Sequence, residues 1–313
     1  MRTFLIQRIL ATIPVMGVVV LFVFLLLRFA PGDPAVMIAG DYATPADVAK
    51  IRAALGLDQP VHMQLGIWLA ALARADLGTS IYSKLPVTHL MAQRLEPTLA
   101  LTLTTLLFSV LIAVPLGVLA AWRAGTWVDR AVMVFAVLGF SLPVFWLGFL
   151  FIYGFSIQLE WLPVQGFVSL AEGPVPFLRH MALPTLTLGT VYMALIARIT
   201  RASVLEVLQQ DYIRTAQAKG VGGRAVLWRH ALKNAAVPIV TIVGIGVALL
   251  IGGVVVTESV FAIPGLGRLT VEAILHRDYP VIQGIILVFS SVYVFINLLV
   301  DLSYTLLDPR IRY

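Results

Sequence analysis

"DYIRTAQAKGVGGRAVLWRHALKNAAVP", Asp211 to Pro238, lies between two long apolar runs. It holds five basic residues, Arg214, Lys219, Arg224, Arg229 and Lys233, with Arg201 just upstream, and glycines at 220, 222 and 223. From Val204 to Lys219 no helix breaker occurs, and Val204, Leu208, Tyr212, Thr215 and Ala216 recur at three to four positions. After the glycines, Val226, Leu227 and Ala231 repeat that spacing. The pattern predicts two short helices joined by a glycine turn. At Gly220 such a turn calls for a positive φ or an approach too close for a Cβ. Small residues ahead of the turn let another protein come near, and the cations supply steering charge.

The surroundings of the stretch say where it works. The chain is 60% hydrophobic and 12% charged, with a mean hydropathy of +0.95. A soluble domain carries about 25% charged residues. Six stretches are long and apolar enough to cross a bilayer: Ile9–Phe29, Thr98–Ala121, Ala131–Ile157, Ala182–Ile199, Pro238–Val256 and Val281–Leu302. The first follows Arg2 and Arg8 as a signal peptide would, but its run is too long and no small-residue cleavage site follows, so a retained helix is expected. The fold class is therefore an all-α polytopic membrane protein with six transmembrane helices.

Lysine and arginine set the expected orientation. With the N-terminus in the cytoplasm, 13 of the 22 basic residues fall inside, and the short outside loops hold just Arg179, Arg268 and Arg277. Both termini are expected in the cytoplasm, and so is the Asp211–Pro238 stretch. Anionic lipid attracts any basic loop of this kind, yet the charges alone do not require so long a segment with helices of its own. The net charge of +6 is thereby read as topology and not as nucleic-acid binding.

Residues 31–97 form the first outside loop, expected to hold two amphipathic helices. Thr44 caps "TPADVAKIRAALG", with Pro45 in its first helical position, Asp47 in its first turn and Gly56 at its close. In "QPVHMQLGIWLAALARADLG", Val61, Leu65, Trp68, Leu69 and Leu72 share a face. The expected organisation is an N-terminal transmembrane helix (1–30), this external loop (31–97) and a five-helix core (98–313) that includes the loop 199–237.

Several chemistries are excluded or left without support. There is no cysteine and no G-x-x-x-x-G-K-[ST] phosphate loop. No H-E-x-x-H occurs, and "GFSLP" (Gly139–Pro143) lacks the second glycine of a nucleophile elbow. His62, His89, His180, His230 and His276 are scattered over different loops. Arg28, Glu258 and Asp301 sit near span ends, where each is expected to reach an interface by snorkelling. That arrangement speaks against an ion-coupled secondary transporter, the alternative reading. "FAIPGLGRL" (Phe261–Leu269) is expected to turn tightly outside, as an interfacial anchor or as a plug or docking element.

The sequence also carries a family resemblance. "RTAQAKG" followed by "RHALKNAAVP" is similar to the E-A-A-x-x-x-G loop of ABC importer permeases. Arg214, Thr215 and Ala216 fall on the E-A-A and Gly220 on the glycine; His230, Leu232 and Lys233 stand where the motif continues I-x-L-P, so its Ile and Pro are absent. With "LLRFAPGDPA", "RLEPTLAL", "VPLGVLAAWRAGTWVDR", "SLPVFWLG", "ESVFAIPGLGRL" and "DPRIRY" in order, the chain resembles the first of two permease subunits of dipeptide/oligopeptide/nickel-type importers. The resemblance implies a type I permease bundle with an extra N-terminal helix and the two-helix external loop, in a bacterial inner membrane. It implies a second homologous permease, two cytosolic ATPases that bind ATP-Mg, and an external substrate-binding protein, with no cofactor and no catalytic or metal residue in this chain. The cargo implied is peptides, with nickel chelates, glutathione or oligosaccharides as alternatives. It implies an ATPase contact through Asp211, Tyr212, Arg214, Thr215, Ala216, Ala218, Lys219, Gly220 and Arg224.

The orientation can be checked directly, since the chain is free of cysteine. A cysteine at Gly222 should react with an impermeant maleimide only when the cytoplasmic face is exposed. Labelling in intact cells would reverse the topology.

Overall fold

With no water in the hydrocarbon to receive backbone hydrogen bonds, a chain this apolar crosses lipid as helices. The computed structural model describes residues 2–29, 34–39, 43–54 and 56–307. In order these hold α1 (Arg2–Phe29), α2 (Pro34–Ala39), α3 (Pro45–Ala54), α4 (Val61–Leu72), α5 (Val87–Trp122), α6 (Trp127–Ser141), α7 (Val144–Phe151), α8 (Pro174–Leu208), α9 (Asp211–Ala218), α10 (Gly223–Ala225), α11 (Leu232–Asn234), α12 (Ala236–Val260), α13 (Leu266–Leu275) and α14 (Tyr279–Leu307). The side chains of Arg2 and Arg28, and all of "DPRIRY" with Arg310 and Arg312, lie outside the described residues.

Among the described residues five helices are long and apolar enough to span a membrane, and a bent pair makes a sixth if it is counted as one span. The expectation of one continuous span over Ala131–Ile157 is corrected: α6 and α7 meet at 105°. Proline explains the break. Pro143 forces the residue before it out of the helical region, and Leu142 is extended at φ −86°, ψ 132°. Beyond α7, Ile152–Gln158 winds as a π-helix. Pro97, Pro115 and Pro184 are absorbed inside longer helices. The helix that holds the second apolar run begins at Val87, ahead of the run itself, which starts at Thr98.

By its contacts the chain forms two compact units, one of Met1–Ile9, Leu95–Arg268 and Tyr293–Tyr313, the other of Leu10–Arg94 and Leu269–Val292. In the first, α8 is central. Leu188 and Tyr192 of α8 pack with Leu101, Leu250, Val254 and Phe261 in one core cluster. The helices approach closely where a side chain is missing. A Cβ on Gly117 of α5 would lie 2.6 Å from Thr200 Cβ, and one on Gly244 of α12 would overlap Val300 Cγ2. Arg8 and Asp301 pair at 2.7 Å, so Asp301 is satisfied by a partner helix as well as by its position near a span end.

Glu258 departs from its expected place at an interface. It is fully buried, accepts from Thr98 Oγ1 at 2.6 Å and from the Arg268 amide at 2.9 Å. Thr98 Oγ1 in turn accepts from the Leu266 amide at 2.7 Å. The Phe261–Leu269 turn is wrapped around this carboxylate. A Cβ on Gly265 would overlap the Glu258 carboxylate, and one on Gly267 would fall 2.6 Å from Val255 Cα. Phe261 is buried in the core, so the interfacial-anchor reading of this aromatic does not hold.

In the second unit, Thr44 and Asp47 cap α3 as the sequence predicts, with Asp47 N donating to Thr44 Oγ1 at 3.3 Å and Thr44 Oγ1 to Asp47 Oδ2 at 2.7 Å. The hydroxyl's hydrogen bond, with that of the Thr44 amide, holds the Asp47 carboxyl below its ordinary pKa. The covered face of α4 is rotated from the expected one: Gln64, Leu65, Trp68, Ala71 and Leu72 are half-buried, whereas Val61 and Leu69 are exposed. Trp68 lies against Phe24, ring centroids 5.6 Å apart. Asp278 receives Ser80 Oγ and the Ile81 amide. Arg94 pairs with Glu272 at 3.3 Å, and Tyr82 stacks on His276 at 3.9 Å. Ser80, Tyr82, Arg94, Glu272, His276 and Asp278 line a cavity of about 360 Å³.

Glu258→Ala orphans buried donors, each worth about 1–3 kcal/mol, and Gly265→Ala drives a methyl into the carboxylate. Both variants should lower the thermal unfolding midpoint in detergent. An unchanged midpoint for both would show that the turn does not depend on Glu258.

Candidate partner interface

The loop between the fourth and fifth spans begins where α8 stops. That helix has 35 residues, about 52 Å at 1.5 Å per residue, so it outreaches a hydrocarbon core of about 30 Å. The sequence predicts a helix unbroken to Lys219; the chain breaks at Gln209–Gln210 instead. Gln210 is extended (ψ 148°) and α9 starts afresh at Asp211, whose charge suits a helix N-terminus. Because the helix restarts, its inward face shifts. Ile213 is the fully buried anchor, while Tyr212, placed on the inward repeat by sequence, is 44% exposed.

The end of α9 is built as the glycine predicts. Val221 N donates to Ala216 O at 3.1 Å and Gly220 N to Gln217 O at 2.9 Å, the two bonds of a Schellman cap. Gly220 has φ +80°. Nothing lies within 4 Å of where its Cβ would be, so the demand for glycine here is conformational and not one of space. The segment from α10 through the π-helical Val226–Ala231 to α11 is pinned from beneath. Val226 and Ala231 are fully buried and Leu227 nearly so. Leu227 and Ala231 pack with Val118, Ala121, Val204, Ala235 and Ile239. Gly223 lies flat on Trp122, where a Cβ would come within 2.8 Å of the ring.

What remains outside is a defined surface. Asp211, Tyr212, Arg214, Thr215, Ala218, Lys219, Gly220 and Arg224 are all exposed and Ala216 is half-buried; all but Arg224 lie on α9 and its cap, and Arg224 stands on α10 just beyond. Arg214 and Asp211 lie 3.5 Å apart on the surface, a pair of little energetic weight. Trp228 is also exposed, at 52%, and lies outside the set drawn from sequence. Its signal was available: exposed aromatics and arginines are the residue types that anchor interfaces. Below this surface, Arg201 of α8 grips Asp129 of α6, Nη2 to Oδ2 at 2.8 Å. Among the described residues no three His, Cys, Asp or Glu side chains are grouped to hold a metal.

Comparison with known proteins bears on what this surface serves. Residues 113–313 match the family of binding-protein-dependent transport system inner membrane components, and residues 1–102 match the N-terminal region of such membrane components. The chain belongs to that family. It is a permease subunit of an ABC importer, a multi-pass inner-membrane protein and a transport subunit, not an enzyme. Importers of this family work with ATPases and substrate-binding proteins. The permease is 54% identical over the full length of both chains to a probable peptide ABC transporter permease of Sinorhizobium fredii. It is 40% identical, again over both full lengths, to a dipeptide transport system permease of Alkalihalophilus pseudofirmus. It is 43% identical over both full lengths to a glutathione transport system permease of Salmonella choleraesuis. Its fold is similar to that of a chain of the MetNI methionine ABC transporter in inward-facing form, with a TM-score of 0.58 over 71% of the permease and 97% of that chain, at 20% identity. The expected fold class, a type I permease bundle with an added N-terminal helix, is thereby met.

A left-handed residue other than glycine or asparagine costs roughly 1–3 kcal/mol. Gly220→Val should loosen the cap and speed tryptic cleavage at Lys219 and Arg224, while Gly220→Asn should stay close to the unaltered permease. Equal cleavage rates in all three would mean that the cap does not depend on the positive φ.

Proposed function

We propose that α9 and its glycine cap form the coupling contact of this permease, seated in a cleft of a cytosolic ATPase. The observation that carries the reading is the shape of the segment. A two-turn helix with small residues at its end stands exposed between two long helices, anchored by Ile213 and by the buried Val226–Ala231 face. Such a knob transmits force because it is rigid toward its own bundle and open toward a partner. The residues assigned to the contact are Asp211, Tyr212, Arg214, Thr215, Ala216, Ala218, Lys219, Gly220 and Arg224, and the exposure of Trp228 supports including it.

In this reading both termini and α9 are cytoplasmic, as the distribution of Arg and Lys supports. The permease pairs with a second, homologous permease to enclose the path, ATP-Mg sits on the two ATPases, and this chain needs no cofactor. An external binding protein delivers the cargo. Small peptides are the proposed cargo, because the named substrates of the similar permeases are peptides, dipeptides and glutathione, all of which carry amide bonds and charged ends. Nickel chelates and oligosaccharides are the lesser alternatives.

Ala216→Trp forces a bulky ring into a close-packed contact, with strain of about 1–3 kcal/mol. The variant should reach the membrane yet lose co-purification of the ATPases and uptake of a labelled dipeptide. Gly220→Val should do the same. Arg229→Ala, away from the cap, should have the smaller effect. If Ala216→Trp and Gly220→Val keep ATPases and uptake at the unaltered level, α9 is not the coupling contact. The permease purified alone should not hydrolyse ATP, and hydrolysis by the single chain would overturn the assignment of nucleotide to its partners.

A further inference from the structure

Asp129 and Arg201 meet beneath the exposed loop surface. Asp129 stands in the first turn of α6 and is 4% exposed. Arg201 stands on α8, seven residues before that helix ends. Two bonds join them, Nη2 to Oδ2 at 2.8 Å and Nε to Oδ1. The Gly125 amide donates to the same Oδ2 at 2.9 Å. One carboxylate thus ties together the turn after α5, the start of α6 and the last two turns of α8. Two parallel bonds from a planar guanidinium fix orientation as well as distance. A buried carboxylate is costly to leave without a partner, so the contact resists opening.

The positions of the two residues give the contact a direction. Helix α9 starts three residues after the end of α8 that Arg201 braces. On the other side, α6 runs from Asp129 to Ser141 and there bends through 105° into α7. Between these ends, α6 packs closely on α8 where Gly139 has no side chain, a Cβ there falling 3.2 Å from Thr190 Cγ2 and the Thr190 carbonyl and 3.4 Å from Ala194 Cβ; close packing of this kind is non-directional. We propose that Asp129 and Arg201 are the positioning pair through which a displacement of α9 reaches the bent α6–α7 segment. The proposal rests on the reading of α9 as the ATPase contact. It adds a specific path from that contact into the membrane part of the permease. Neither residue touches nucleotide or cargo; the pair makes α8 and α6 move as one body.

The test uses the complete importer, reconstituted with cysteine-free partner subunits. Nitroxides on cysteines placed at the exposed Phe140 and Tyr153, either side of the bend, report its opening with and without ATP and vanadate. The unaltered permease should show a nucleotide-dependent change in that distance. Asp129→Asn and Arg201→Gln should abolish the change while the ATPases still co-purify, a combination that general destabilisation does not give. A full response in either variant overturns the pair. Should these variants fail to assemble, the exchange Asp129→Arg with Arg201→Asp restores an ionic contact between the same two helices with its charges reversed. The exchanged protein should respond to nucleotide; an exchanged protein that assembles with its ATPases and does not respond overturns the proposal. The underlying reading fails separately: it falls if Ala216→Trp keeps its ATPases, whereas loss of ATPases there with an intact response in Asp129→Asn removes the positioning pair alone.

Discussion

Helix α8 can cross α5 where it does because Gly117 has no Cβ. Thr200 Cβ and the Ala197 carbonyl occupy the space that one would fill, at 2.6 and 2.7 Å. In lipid, apolar side chains gain little from meeting one another, so helices are held by close packing at small residues. This crossing fixes the next turn of both helices. One residue past Gly117 is Val118 and one turn past Thr200 is Val204, both fully buried. They form the floor on which Leu227 and Ala231 rest. Trp122, at the end of α5, is the plate against which Gly223 lies. The exposed surface of α9 is thus positioned by a glycine some hundred residues earlier in the chain. Enlarging that glycine would separate the helices and remove the floor without touching the loop.

The parts of this arrangement that are local in sequence were legible, and those that depend on distant partners were not. Apolar runs gave the spans, and a glycine after a helical segment gave the cap, since few other residues adopt its φ cheaply. The burial of Val226, Leu227 and Ala231 followed from their spacing. Ile213 was missed because the repeat counted from Val204 was carried through Gln209–Gln210, where the helix in fact ends. Glutamines carry no breaker signal, so the restart of register could not be seen. The bend at Pro143 was present in the sequence but ambiguous, since Pro115 and Pro184 have the same surroundings and do not break their helices.

Glu258 shows most plainly why distant contacts escape a sequence. An acidic residue near the end of an apolar run belongs at an interface by every local rule. Its burial depends on Thr98, 160 positions away, and on amides presented by a turn that folds back on it. The glycines of "FAIPGLGRL" gave half of the message, that a tight turn exists. They could not say that the turn closes around a carboxylate, or that Gly265 is small because the carboxylate is there.

The buried carboxylates Glu258 and Asp129 differ in what satisfies them, and the difference bears on what each can do. Glu258 is held by a hydroxyl and a backbone amide, and the groups that meet it come from one turn and one helix end. Displacing it means undoing the backbone of that turn, so it serves as a lock within a rigid piece. Asp129 is held chiefly by a guanidinium at the end of a long side chain rooted on another helix. Its bonds oppose sliding and rotation of α6 against α8, while the backbones of the two helices remain independent. A contact of the first kind makes a body; a contact of the second kind joins two bodies in a fixed relation. An importer subunit needs both, because a displacement at its surface does nothing unless it is passed between helices that do not themselves deform. The Asp129–Arg201 pair has the geometry for that second task, and its place two turns before the end of α8 puts it between the proposed coupling surface and the bent α6–α7 segment.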